Sequence, residues 1–159
     1  MLEFKLLTLV ILANGAPVLA YDVMKGWLAW PVDLGLRFVD RRPLFGPAKT
    51  WRGIFASLVV TSLGAHLLGF SWTIGLQIAA VAMAGDLLAS FIKRRLNIES
   101  SGRALGLDQV PESLLPLLLI KHDLGLSWST IGQLVAAFFL LEVTLSPMLY
   151  HLGLRKRPY

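Results

Sequence analysis

The chain has 159 residues, of which 55% are hydrophobic and 16% charged, with a mean hydropathy of +0.65. A soluble domain usually carries about 25% charged residues, so the composition argues against an ordinary soluble globule and points to the bilayer as solvent. The lack of cysteine excludes disulfide frameworks, thiolate metal sites and cysteine nucleophiles. The net charge of +5 clusters beside apolar runs, which favours membrane orientation and anionic phosphates over nucleic acid as partners.

The first apolar run covers Phe4 to about Met24, interrupted by Asn14, Gly15, Pro17 and Asp22. A signal peptide would use Lys5 as its basic end and Leu6–Ala13 as its apolar core, but Glu3 opposes this and apolar character resumes after Pro17. Ile54–Phe70 and Trp72–Ile92 each approach the ~20 residues that cross the hydrocarbon, and Gly69-Phe70-Ser71 joins them as a tight helical hairpin. Trp51, Phe70 and Trp72 stand where interfacial aromatics belong. Val110–Trp128 is the weakest candidate: its dense part, Leu114–Ile120, is short, contains Pro116 and is followed by Lys121, His122 and Asp123. Thr130–Leu152 is a final span, with Pro147 near its end, Tyr150 as a belt residue and Glu142 facing the bundle or a wet cavity.

Charge sets the expected orientation. Lys25, Arg37, Arg41, Arg42, Lys49 and Arg52 lie between the first and second spans, Lys93, Arg94, Arg95 and Arg103 after the third, and Arg155, Lys156 and Arg157 in the tail. The positive-inside rule places all three groups on the cytoplasmic side. That requires Val110–Trp128 to cross. The expectation is therefore an all-α, polytopic integral membrane protein: one domain over residues 1–159, about five transmembrane helices and two cytoplasmic polar loops. Its N-terminus is outside and its C-terminus in the cytoplasm.

The first polar segment runs through Pro31, Asp33, Pro43, Gly46 and Pro47 to Lys49-Thr50-Trp51-Arg52-Gly53. The prolines restrict its conformations and suggest an ordered loop. Lys49, Thr50 and Arg52 fall at a helix start, where free N–H groups favour anions. Lysine offers phosphate a point charge and arginine a bidentate fork. The spacing is not that of a P-loop. Taken alone, these cations serve topology and lipid headgroups equally well.

The second segment carries more. Asp86, Ser90, Lys93 and Arg94 recur at helical spacing and share one face. Asp86 interrupts an apolar span, where an unpaired carboxylate is costly and marks a functional candidate. Asp108 returns after a glycine-containing loop. Two carboxylates beside Lys and Arg are the hard oxygen ligands that Mg²⁺ takes when phosphates supply the rest, an arrangement suited to phosphoryl or nucleotidyl transfer. The alternative is an internal salt bridge from Asp86 to Lys93 or an arginine.

Ala13-Asn14-Gly15-Ala16-Pro17-Val18, Gly46-Pro47-Ala48-Lys49-Thr50-Trp51-Arg52-Gly53, Gly85-Asp86-Leu87, Ser90-Phe91-Ile92-Lys93-Arg94-Arg95 and Leu107-Asp108-Gln109 together resemble the CDP-archaeol synthase family, which is related to phosphatidate cytidylyltransferases. Five motifs in order and spacing, from about Asn14 to Gln109, make the resemblance specific. It implies transfer of a cytidylyl group from CTP, as co-substrate, to an isoprenoid ether glycerol phosphate, with Mg²⁺ and release of pyrophosphate. By that resemblance Asp86 and Asp108 bind metal, with Lys93 beside them at the catalytic centre. Lys49, Thr50, Arg52, Lys93 and Arg94 bind the triphosphate, and Asn14 and Ser90 line the pocket. This chain reads Asp40-Arg41-Arg42-Pro43 where family members often have Asp-Gly-Arg-Arg, and it also departs from the pattern after Arg95. The acceptor therefore stays open among an archaeal ether lipid, phosphatidate and another isoprenoid or acyl phosphate. A CTP-using polyprenol kinase-like enzyme is a second possibility. A small lipid transporter or accessory subunit, with Asp86 and Glu142 lining a path, is a third, although neither internal repeats nor paired broken helices are evident. His66, His122 and His151 are scattered and suit packing or interfacial roles.

Overall fold

A computed structural model describes residues 1–100, 102 and 104–151, the side chains of 145–151 excepted. Arg103 and the basic tail at Arg155, Lys156 and Arg157 lie outside the described residues, as do the side chains of Pro147, Tyr150 and His151. The architecture is all-helical: α1 Leu2–Val23, α2 Trp51–Leu67, α3 Trp72–Arg95, α4 Gln109–Leu119 and α5 Trp128–His151. Among the described residues the only β pairing is two isolated bridges, Pro31–Thr50 and Arg37–Pro43.

Each helix starts and stops for local reasons. Thr50 is the N-cap of α2, accepting the Gly53 N–H at 3.4 Å, and Ser71 caps α3 by accepting the Ile74 N–H at 3.4 Å. Between them Gly69 takes φ +84°, the left-handed turn that ends α2. The expected hairpin is thus present. α1 runs unbroken through Asn14, Gly15 and Pro17.

Successive helices run in opposite directions, so the chain has two distinct ends. At one end Leu6, Leu9 and Val10 of α1, Ala65 of α2, Ile78 of α3, Leu117 and Ile120 around the end of α4, and Leu126, Ile131, Leu134 and Phe138 at the start of α5 form a closed apolar core. Small residues let the helices approach: a Cβ on Gly75 would lie 2.6 Å from the backbone of Thr61 and Ser62. The outward faces carry Leu19, Val23, Leu63, Leu67 and Leu140, all more than half exposed. That pattern costs stability in water and suits a hydrocarbon surround.

Two helices, α1 and α3, are long and apolar enough to cross a membrane; α2 has 17 residues, as does the apolar stretch Trp128–Thr144 of α5. The expected fourth span, Val110–Trp128, is helical only over Gln109–Leu119. Eleven residues rise ~16 Å, about half of a ~30 Å hydrocarbon core. The helix begins alongside the middle of α3, where Gly85 meets the backbone of Pro111 and Glu112. Pro111 sits in its first turn, where a missing N–H costs nothing, and turns take over from Ile120.

The 24–50 segment is ordered without regular structure. Buried Asp33 accepts N–H groups from Gly35 at 3.0 Å, Phe45 at 2.9 Å and Gly46 at 2.8 Å. The segment is braced against the end of α3. Arg42 donates to the carbonyls of Arg94 at 3.2 Å and Arg95 at 2.5 Å, capping α3 where a cation complements the helix dipole. Arg95 returns a bond to the Pro43 carbonyl at 2.7 Å and pairs with Asp40 at 2.8 Å. Its guanidinium lies over the rings of Phe38 and Phe91.

Candidate active site

The end opposite the apolar core opens into a cavity of about 980 Å³. Four elements reach it: the second half of α1, the approach to α2, the second half of α3 and the start of α4, with Glu142 and Val143 of α5 closing one side. All the residues expected at the site line this one space: Asn14, Lys49, Thr50, Arg52, Asp86, Ser90, Lys93, Arg94 and Asp108. The residues at i, i+4, i+7 and i+8 on α3 thus share one face, which lines the cavity.

Two glycines set the geometry. A Cβ on Gly85 would lie 2.6 Å from the Pro111 carbonyl oxygen and 2.9 Å from the Glu112 nitrogen. This backbone-to-backbone contact brings α4, with Asp108 just before it, alongside Asp86. A Cβ on Gly53 would lie 3.1 Å from the Pro17 ring, so the first and second motifs meet at a close crossing of α1 and α2.

Two crossed ion pairs span the cavity. Lys49 Nζ donates to both carboxylate oxygens of Asp86, at 2.6 and 2.7 Å. Lys93 Nζ donates to Asp108 Oδ1 at 2.7 Å, while Asp108 Oδ2 accepts the Ala104 N–H at 2.9 Å. The internal salt bridge considered for Asp86 therefore exists, but its partner is Lys49, from the other polar segment, and Lys93 belongs to Asp108. The 37-residue separation of Lys49 and Asp86 hid this pairing from local spacing. Burial pushes the Lys49 ammonium toward its neutral form. The charge of Asp86 and its direct hydrogen bonds more than offset this, with smaller help from Glu112 and Asp108, and raise its pKa above the usual lysine range.

Arg52 and Arg94 are almost fully buried. Arg52 donates to the Lys25 carbonyl and stacks over the Tyr21 ring at 4.8 Å. Arg94 donates to the Glu99 carbonyl at 2.9 Å. Among the described residues, Nε of each arginine and Oδ1 of Asn14 have no hydrogen-bond partner. Thr50 lines the cavity while its hydroxyl caps α2, so it positions Lys49 and Arg52. Glu142 both lines the cavity and accepts a bond from Gln109 Nε2 at 3.3 Å. His66 and His122 lie away from it.

Sequence reasoning missed Glu112, which is buried and lines the cavity between the carboxylates. The available signal was its spacing of four residues from Asp108, one helical turn. Lys25 and Asp22 also line the rim. They had registered only as a topology charge and a span interruption. The described residues hold no set of three His, Cys, Asp or Glu side chains arranged to grip a metal by themselves. Asp86 and Asp108 nonetheless fit Mg²⁺, which commonly takes one or two carboxylates and completes its shell with water and substrate phosphate. Both are hard oxygen donors already facing a cation across the cavity.

A family model described as CarS-like, CDP-archaeol synthase, matches residues 3–159. The chain belongs to the CDP-archaeol synthase family. A CDP-archaeol synthase of Saccharolobus islandicus (strain L.S.2.15) is 35% identical over 135 residues, covering 81% of each chain. Another, from Hyperthermus butylicus, is 41% identical over 104 residues, 62% of this chain and 59% of that protein. A solved structure of an intramembrane enzyme for archaeal membrane lipid biosynthesis superposes with a TM-score of 0.74 at 32% identity, covering 89% of this chain and 90% of that one. The CDP-archaeol synthase family assignment agrees with the all-helical fold and its outward apolar faces, and the chain is a membrane protein of lipid biosynthesis.

Proposed function

We propose that this chain is a CTP-dependent cytidylyltransferase that moves CMP from CTP onto a lipid phosphate of the ether isoprenoid glycerol type, giving a CDP-lipid and pyrophosphate. The observation that carries this is the cavity itself. It is one polar space at the end of an apolar bundle, where Lys49 and Arg52 at the start of α2, Asp86, Lys93 and Arg94 on α3 and Asp108 just before α4 come together.

A phosphate monoester oxygen of the lipid attacks the α-phosphorus of CTP. The bond from that phosphorus to the oxygen bridging the β-phosphate breaks, and pyrophosphate leaves with the electron pair. The attacking oxygen is already anionic, so no serine or cysteine nucleophile is needed. Lys49, Lys93, Arg52 and Arg94 bind and orient the triphosphate, and their charge offsets what accumulates on the leaving pyrophosphate. Asp86 and Asp108 would hold Mg²⁺, which when bound supplies Lewis-acid charge to phosphate oxygens. Accepting phosphate requires the lysines to exchange carboxylate for substrate oxygens, so the ion pairs hold each ammonium in place beforehand.

Lys25, Arg42, Lys49, Arg52 and Lys93–Arg95 gather at the cavity end of the bundle. By the positive-inside rule we place that end at the cytoplasm, where CTP is available, with the N-terminus outside and the C-terminus inside over five passes.

Purified protein in lipid-containing detergent, given CTP, Mg²⁺ and a panel of ether and diacyl lipid phosphates, tests this. Pyrophosphate release with one acceptor, lost in Asp86→Asn, is the expected result. CDP in place of pyrophosphate would transfer the assignment to a lipid kinase. Turnover that survives both Asp86→Asn and Asp108→Asn would remove the site.

A further inference from the structure

The segments at 28–30 and 50–55 form a wall with two different faces. Ala29, Thr50, Arg52 and Ile54 look into the charged cavity. Leu28, Trp30, Trp51 and Phe55 line a separate apolar groove of about 390 Å³. The wall is tied together by the Arg52 N–H on the Leu28 carbonyl at 2.9 Å and the Trp51 N–H on the Trp30 carbonyl at 3.1 Å. An open apolar depression on a hydrogen-bonded wall therefore stands one backbone thickness from Arg52 and next to the rim where Lys25 lies. Its rings are open: Trp30 is 67% exposed, Phe55 50% and Trp51 46%.

A groove of this kind calls for a hydrocarbon, and the adjacent cations call for an anion. A molecule that satisfies both at once is a phosphate monoester joined through a short linker such as glycerol to apolar chains. CTP has no hydrocarbon to place there, and a bulk phosphodiester lipid carries less negative charge than a phosphate monoester to set against Lys25 and Arg52. Resting on the cytidylyltransferase assignment, we propose that this groove holds the first part of one hydrocarbon chain of the acceptor lipid. The wall would then act as a partition, with the chain on one face and the triphosphate on the other, and the lipid phosphate would reach the cavity over the rim at Lys25 and Arg52. The width left between Trp30, Trp51 and Phe55 would then select among chain types, because bulk at the groove admits or rejects methyl branches.

Two measurements test this. In Leu28→Trp and Phe55→Trp, which fill the groove, KM for the lipid phosphate should rise tenfold or more while KM for CTP stays within twofold. Preference should shift toward thinner or shorter chains. A tryptophan-belt role alone would lower thermal stability and leave lipid KM and chain preference unchanged, which overturns the proposal. Independently of turnover, a lipid phosphate with a diazirine in the first few carbons of its chain should label peptides containing 28–30 or 50–55. Labelling only elsewhere overturns the groove even if the enzyme is active. Labelling here without pyrophosphate release would count against the cytidylyltransferase assignment and leave the groove standing.

Discussion

Ser57 on α2 donates its hydroxyl to the carbonyl of Ala13 on α1 at 2.7 Å, with Ser57 fully buried. That carbonyl is the one Pro17 leaves without its helical partner, because proline has no N–H to return to the residue four positions earlier. One serine thus repairs the helix across the interface and fixes α1 against the start of α2, where the cavity begins. Ser57→Ala should cost about 1 kcal/mol, the scale of interhelical hydrogen bonds in bilayers. In a Pro17→Ala background, where the helix regains its own N–H, the same change should cost markedly less. Thermal unfolding of the four variants in detergent measures that coupling, and equal penalties in both backgrounds would refute it.

Gly85 is where the close approach of α4 can be tested. Gly85→Ala places a methyl 2.6 Å from backbone, where it cannot be relieved by a flexible side chain. The expected cost is about 1–3 kcal/mol of overpacking. Turnover should fall tenfold or more as Asp108 moves relative to Asp86. Unchanged kcat with lowered stability would mean that α4 carries no positioning role.

The crossed ion pairs predict unequal variants. Asp108→Asn keeps an oxygen for the Ala104 N–H and loses the charge that faces Lys93 and would hold Mg²⁺. It should therefore fold and bind CTP while losing at least 100-fold in kcat, as expected for a term acting mainly in the transition state. Lys49→Ala leaves Asp86 without its counterion and should raise KM for CTP as well as lower kcat. Steady-state kinetics at saturating lipid separate the two.

Asp33 predicts an acid limit for the loop. Burial raises its pKa, but the N–H groups of Gly46, Phe45 and Gly35 outweigh this and hold it below the ordinary aspartate range. A depressed carboxylate stabilises the fold above its unfolded pKa, ~3.9, and that contribution is lost as pH falls through the lower folded value. The loop should stay protease-resistant down to about pH 4 and become cleavable below it. Asp33→Asn should be cleavable at neutral pH, and resistance of that variant would contradict the account.

Arg41 sits at φ +63°. The Arg41 N–H bonds the Phe38 carbonyl, and the Phe38 N–H bonds the Arg42 carbonyl, both at 2.8 Å. This is a three-residue hairpin loop that wants glycine at its left-handed position. Arg41→Gly, which removes a side chain from the left-handed position, should stabilise the protein by about 1 kcal/mol. Thermal shift is the measurement, and a lower melting temperature would show that the arginine side chain has a role of its own.

Much of this architecture was legible beforehand because apolar runs and helical spacing are local. The hairpin at Gly69, the shared face of Asp86, Ser90, Lys93 and Arg94, and the helix start at Thr50 all follow from residues within two turns of one another. The ion-pair partners were not legible, since Lys49 and Asp86 meet only when α2 and α3 pack. Arg42 and Arg95 read as topology charges, yet they brace the loop through backbone carbonyls that hydropathy does not register. The extent of α4 was overestimated for a related reason. The apolar run after Pro116 continues into turns, and the start of α4 packs on Gly85, a neighbour far away in the chain.

The position of Asp86 along α3 has a consequence for where the chemistry happens. Asp86 lies nine residues before the last residue of α3, which at 1.5 Å per residue is ~14 Å along the helix axis. A water-soluble nucleotide must therefore enter well past the end of α3 to reach Asp86, and the lipid phosphate must meet it there. An enzyme built this way need never extract its greasy substrate from the leaflet. The energetic burden falls instead on a short polar shaft through the protein, where Asp86 and Asp108 already face Lys49 and Lys93.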